Sequence, residues 1–339
     1  MKKIVIISGV ALALVASSYM AAQMYIEDKV SEYLENFDNN SPISGITFTT
    51  DSVYYNPFEE ALVLKGVESN ISNALIKQNI DSIYLERVEF TYPISTFFGV
   101  NNLVHFGESF AKIKGGQIKF SSDAIERFLS GIGRPPFLKG QGVNFSVNYT
   151  SSLNESDALL SSSLYIENVG DFNFESQITG PFDEISEIIS DAEKNDDGSL
   201  NLSNKEQRTL ETQFKKFAGR NVSLSYSSEN IADWLNFLSR VSPLVNEGDL
   251  HGVNDRIKLD LEKNGLFTDD YRNSLHNTLS DAIDTEQDVR FSIKSGIPID
   301  MNIASQIFMI AMAGGGTPES LSNLIKADYN LELINFKKP

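Results

Sequence analysis

The chain has 339 residues, 41% of them apolar, and its 46 acidic against 28 basic residues give a net charge of −18. With no cysteine, a disulfide scaffold is excluded and any exported domain must rest on its own hydrophobic core. The acidic surplus repels nucleic acid and anionic head groups over most of the surface, so nucleic acid is not an expected partner.

Met1-Lys2-Lys3 opens onto an apolar run from Ile4 to Ala22 that contains no charge. At 1.5 Å per helical residue, about 19 residues match a hydrocarbon thickness of about 30 Å, and the two lysines favour a cytoplasmic N-terminus. The run predicts an uncleaved membrane anchor with everything after Ala22 outside the cytoplasm. Small residues at Ala16, Ser18 and Ala22 keep a second reading open, a signal peptide removed on export. Tyr19, Met20 and Met24 stand where small residues would help cleavage. Beyond the run, Ile26, Val30, Tyr33, Leu34 and Phe37 recur three or four apart, with Glu27, Asp28, Lys29 and Glu32 between them. That spacing predicts an amphipathic helix docked on the domain.

Alternating and β-branched segments predict strands at 46–49, 53–55 and 61–67, with Asn56-Pro57-Phe58 turning the last two into a hairpin. Further strands are expected at 80–90, 109–113, 116–120, 143–149, 159–166 and 171–178, with a tight turn at Gly115-Gly116. A helix is expected at 122–130, capped by Ser122. After residue 220, strands are expected at 257–261, 289–293, 297–301 and 327–336, with helices at 231–239, 268–283 and 306–313. Phe145 to Ser151 echoes Val222 to Ser228 in residue type, as two repeated β units or as two ordinary amphipathic strands.

Between these halves, Phe182, Ile185, Ile188, Ile189 and Ala192 predict an entering helix face, and Leu210, Phe214 and Phe217 an exiting one. The loop from Glu193 to Glu206 places oxygen donors Glu193, Asn195 and Asp197 at positions 1, 3 and 5 of an EF-hand, Gly198 at 6 and Leu200 at 8. It departs from the pattern at its ends, with Glu193 rather than Asp at position 1, Asn204 where the bidentate glutamate should stand, and Glu206 two residues late. A Ca²⁺ site at Glu193, Asn195, Asp197 and Glu206 is one reading. The other is a plain helical hairpin, with Ser203 and Glu206 as a capping box and Asn195 to Gly198 as a polar turn.

No other motif carries chemistry. His105, His251 and His276 lack a metal-ligand spacing, and neither a Gly-x-Ser-x-Gly elbow nor a phosphate loop occurs. Gly314 to Gly316 followed by Pro318 reads as one helix stopping and the next starting. Trp234 shares a helical face with Ile231, Leu235 and Leu238 and is expected in the core. A non-enzymatic protein without catalytic or cofactor-binding residues is therefore expected.

The Lys-Lys leader and uncleaved helix are followed by hairpins such as Ser52 to Phe58 through Leu62 to Val67. Together with Phe110 to Lys119, this layout resembles the AsmA-type and YdgA-type envelope proteins of Gram-negative bacteria over roughly residues 1–180. The resemblance implies a single-pass inner-membrane anchor, a periplasmic main domain, and lipid organised along a β surface. The helical insert at 181–219 and the short chain depart from that pattern.

The expected fold is α+β and β-dominated, with antiparallel meandering sheets, short helices and one N-terminal membrane-anchor helix. The expected parts are the anchor and amphipathic helix (1–37), a first β-rich unit (38–180), a helix-loop-helix insert (181–219) and a second α+β unit (220–339). Two functional classes stay open. One is an envelope protein binding lipid or another apolar ligand on a curved sheet. The other is a structural or protein-interaction module of the envelope, steadied by Ca²⁺.

Overall fold

A computed structural model describes residues 23, 25–28, 30, 45–56, 58–92, 107–154, 156–194, 200–241, 244–263, 268–312 and 318–339. The expected anchor helix and the faces of Tyr33, Leu34 and Phe37 lie outside them. The fold is β-rich, antiparallel at every strand pairing given for the described residues, and carries several short helices. The chain divides into two compact units, Met1–Asn101 with Ala111–Glu126, and Asn102–Phe110 with Arg127–Pro339. The helical hairpin falls inside the second unit.

In the first unit, β1 (Ile46–Thr49) and β2 (Ser52–Asn56) both pair with β3 (Ala61–Ile71). Helix α1 (Ala74–Lys77), capped by the Asn73 side chain, leads to β4 (Ile80–Thr91), which pairs with β5 (Gly107–Phe120). Pro57, in the expected turn, lies outside the described residues, but the hairpin closes as expected with Asn56 opposite Ala61.

The expected turn at Gly115-Gly116 is instead the middle of one long strand. The pairings on either side align Gly66, Glu86 and Gly115 in a single row across β3, β4 and β5, with Asp51, just before β2, at its end. Gly66 has φ +59° and Gly115 φ +61°. On one side of this row the core residues are Leu64 and Val88, and on the other Val67 and Leu85, three positions away rather than two. Strict alternation would put residues three apart on opposite faces. All four nevertheless pack in one cluster with Val53, Tyr55 and Leu62. The left-handed glycines turn the pleat over, so one face stays apolar from end to end.

That face is covered by the segment following the apolar leader. Residues 25–28 and Val30 are helical, Ile26 is 3% exposed, and both Ile26 and Val30 pack on the cluster. Gln23 adds a polar lock. Its amide Nε2 donates to Tyr55 O at 2.6 Å, and its Oε1 accepts from Tyr55 N–H at 2.7 Å. A side-chain amide thereby stands in for a neighbouring strand at Tyr55, satisfying both backbone groups. The docked amphipathic helix is thus seen in its first turns.

The second unit contains α2 (Ser122–Ile132), β6 (Gly142–Leu153), β7 (Asp157–Ile166), β8 (Gly170–Thr179), α3 (Phe182–Asp191), β9 (Glu193–Lys194), β10 (Leu200–Asn201) and α4 (Asn204–Phe214). Then come β11 (Ala218–Ser228), α5 (Ile231–Val241), α6 (Leu250–Lys263), α7 (Asp269–Thr285), β12 (Asp288–Lys294), β13 (Ile299–Asp300), α8 (Met301–Met312), α9 (Pro318–Ile325) and β14 (Asp328–Ile334). Strand β5 and helix α2 are both shared, since β5 from Ala111 and α2 to Glu126 belong to the first unit and the rest of each to the second. The strand order is β6-β7-β8-β11-β12-β14, with β13 also on β11.

Three expectations are corrected here. The strand at 257–261 is part of α6, because Leu250, Val253, Ile257 and Leu261 carry helical spacing that outweighs the short alternation of Ile257, Leu259 and Leu261. The strand at 297–301 shrinks to β13, since the Asp300 carboxylate accepts from Asn302 and Ile303 N–H, both at 2.9 Å, and starts α8. The cap of α2 is Ser121 rather than Ser122, with Ala124 N–H donating to its hydroxyl at 3.2 Å. Pro318 does open a helix.

A clamp ties down the C-terminal tail. Lys139 Nζ at 2.5 Å and Lys338 Nζ at 3.1 Å reach Glu167 Oε1, while Asn144 donates to Oε2 at 2.7 Å. Lys139, Asn144 and Lys338 hold the Glu167 carboxyl down at about 2, against the opposing effect of burial. Phe336 stacks on Tyr165, whose hydroxyl donates to Glu229 at 2.8 Å. A carboxyl depressed on folding stabilises above its unfolded pKa, near 4.5, and loses that contribution as pH falls towards about 2. Urea midpoints measured from pH 5 to pH 2 should therefore fall less steeply in Glu167→Gln, which already lacks the clamp at pH 5, than in the parent.

Candidate functional site

The sheet of the second unit has two chemically different faces. One carries Asn144, Ser146, Asn148 and Thr150 on β6, Ser161 and Ser163 on β7, Asp171, Asn173 and Glu175 on β8, and Ser223, Ser225 and Ser227 on β11. The other is apolar, and the strand registers set its rows. Tyr149, Ser162, Phe174, Leu224, Ile293 and Tyr329 follow one another across six strands, and Val147, Leu164, Phe172, Tyr226, Phe291 and Leu331 form the next row. Alternation with a period of two puts them all on one side.

Helix α7 covers one end of this face. Leu275, Leu279 and Ala282 pack with Val289, Leu331 and Leu333, and the Tyr271 ring meets Phe291 and Tyr329 at 6.3 and 5.2 Å. Burial there pushes the Tyr271 hydroxyl up to about 12. Phe172 and Tyr226 stack at 4.6 Å between the two ends, and burial raises Tyr226 to about 12 as well. Across β6, β7, β8 and β11 the cover stops. Tyr149, Leu164 and Phe174 are each 37% exposed and Leu224 is 48% exposed. With strands about 4.8 Å apart, the open strip is about 14 Å long.

Single exposed apolar residues are ordinary, but four on adjacent strands and one face form a contiguous patch of the kind that marks an interaction site. The patch offers contact area and no chemistry. None of its members is a carboxylate, amine or imidazole, and Tyr226 beside it is tied down, its hydroxyl donating to Val169 O at 2.7 Å.

The chain matches no family model and no curated protein.

Of the four residues expected as a metal site, Glu193 and Glu206 fall within the described residues. Glu193 lies in β9, paired with Asn201 of β10. Asn195 and Asp197 lie outside the described residues. Glu206 is engaged in the capping box of α4, where its Oε2 accepts from Ser203 N–H at 2.7 Å and its own N–H donates to the Ser203 hydroxyl at 3.3 Å. Those Ser203 groups hold the Glu206 carboxyl below its ordinary value. Among the described residues, no three His, Asp or Glu side chains cluster as a metal would require.

His105 lies outside the described residues. The other two histidines pair α6 with α7, His251 meeting Asp284 at 3.2 Å and His276 meeting Asp255 at 2.7 Å. Trp234 donates to Asn168 O at 2.7 Å and stacks on Phe137, beside the 2% exposed Leu235.

The sequence carried a signal for the open face in β6, where Phe145, Val147 and Tyr149 alternate with Asn144, Ser146 and Asn148. The echo of 145–151 in 222–228 repeats it, since Val147 and Leu224, and Tyr149 and Tyr226, share the apolar face.

Proposed function

We propose that this is a non-enzymatic, membrane-anchored extracytoplasmic protein that binds lipid or another apolar ligand on the sheet of its second unit. The observation that carries the reading is the uncovered row Tyr149, Phe174 and Leu224, with Leu164 beside it. Burying such side chains contributes about 25 cal/mol per Å² of apolar surface removed from water, so an acyl chain laid across the strip would be held without any polar recognition. The leader Ile4 to Ala22 supports the location, because it would keep the sheet close to a source of lipid. The layout shared with AsmA-type and YdgA-type proteins points to the same setting, an inner-membrane anchor with a periplasmic domain.

A second reading is favoured by the extent of the strip, whose exposed side chains lie on one face of four adjacent strands. Such a surface also suits a protein partner of the envelope. A photoreactive amino acid at Phe174, activated in cells, separates the two. Adducts with lipid are expected. Adducts with one protein and none with lipid would replace the ligand-binding reading by the interaction module.

A further inference from the structure

We propose that the β2–β3 hairpin is a second membrane contact, with Phe58 seated in the bilayer interface beside the leader. The inference rests on the reading of Ile4 to Ala22 as membrane-spanning. Gln23 is the first residue after that run, and both polar atoms of its amide are bonded to Tyr55, one residue from the end of β2 at Asn56. The chain then passes inward, as Ile26 and Val30 pack on the core face of the sheet. Gln23, the residue that follows the apolar run, therefore sits at the hairpin end of the first unit.

At that end stands Phe58, 96% exposed, three residues from Tyr55 in the hairpin tip. Among the described residues the Phe58 ring packs on no core cluster, and what singles it out is its position beside the end of the apolar run. An aromatic side chain held at the mouth of a transmembrane helix suits the boundary between head groups and hydrocarbon. The neighbouring Glu59 and Glu60 make the tip acidic, which selects zwitterionic over anionic lipid at this contact. Leu75 serves as the internal contrast. It is 75% exposed in α1, past the other end of the 11-residue β3, so about 35 Å from the tip along the strand.

The absence of cysteine allows single-site labelling of the full chain. Phe58→Cys, Leu75→Cys and Leu12→Cys variants would each carry an environment-sensitive dye and be reconstituted in phosphatidylcholine vesicles with brominated acyl chains. Dyes at 12 and 58 are expected to lose most of their emission relative to unbrominated vesicles, and the dye at 75 to keep it. Quenching at 12 without quenching at 58 would overturn the hairpin contact and leave the anchor standing. Equal quenching at 58 and 75 would overturn it too, because the contact would not be confined to the tip. No quenching at 12 would remove the anchor and this proposal with it.

Discussion

Ile26→Asp is expected to unfold the first unit. Ile26 is 3% exposed and packs among Val53, Tyr55, Leu62 and Leu64. Truncation at such a site costs about 2–5 kcal/mol, and a carboxylate placed there must be desolvated or protonated besides. Against a domain stability of about 5–15 kcal/mol, that loss is decisive. Gln23→Ala should cost about 1–3 kcal/mol, since both backbone groups of Tyr55 lose their partner. Gln23→Glu should differ in kind. Its carboxylate can still accept from Tyr55 N–H but faces Tyr55 O with no donor. The check is urea unfolding followed by circular dichroism, in the order parent, Gln23→Ala, Ile26→Asp. A midpoint for Ile26→Asp equal to that of the parent would mean that the docked helix contributes nothing to the unit.

Gly66→Val should be nearly as damaging. A β carbon at Gly66 would stand 1.9 Å from a carboxylate oxygen of Asp51, and the backbone at φ +59° is one that a β-branched residue rarely adopts. At Gly115, φ +61°, the β carbon would meet the Glu86 side chain at 2.3 Å. Strain of this kind costs about 1–3 kcal/mol per site before any clash is relieved. Asp51→Gly should recover the clash at Gly66→Val but not the backbone strain, so the double variant should regain only part of the lost stability. Full recovery would show that the pleat reversal is unimportant.

These two sites mark what could and could not be read in advance. The helical spacing of Ile26 and Val30 announced a docked helix because amphipathic period is a local property. The lock by Gln23 was not legible, since it joins residues 32 positions apart and Gln has no strand or helix signature of its own. Gly115-Gly116 carried the chemistry of a turn, yet its role is set by Gly66 and Glu86 on neighbouring strands, a row that exists only once the register is known. The helical hairpin and the Ser203–Glu206 capping box were both local and both legible.

For the candidate site, each strand announced an apolar and a polar side, but which part of the apolar side stays open depends on where α7 lies. Helix α7 was foreseen as an element, and its Thr268 cap is seen accepting from Tyr271 N–H at 3.4 Å. Its placement over β12 and β14 rather than over β7 and β8 is a tertiary fact with no sequence signal.

The binding reading is tested most directly by comparing the full chain with Leu164→Lys/Phe174→Lys/Leu224→Lys, both extracted in the same mild detergent and weighed by native mass spectrometry with lipid analysis. Leu164 and Phe174 are 37% exposed and Phe174 stands opposite Leu224, so the fold of the triple variant is checked by circular dichroism before it is weighed. Both proteins carry the same leader, and any lipid held by the leader is common to both. A lipid or other apolar molecule bound to the parent in whole-number stoichiometry and absent from the triple variant is the predicted result. The same lipid complement on both proteins would contradict ligand binding on this face.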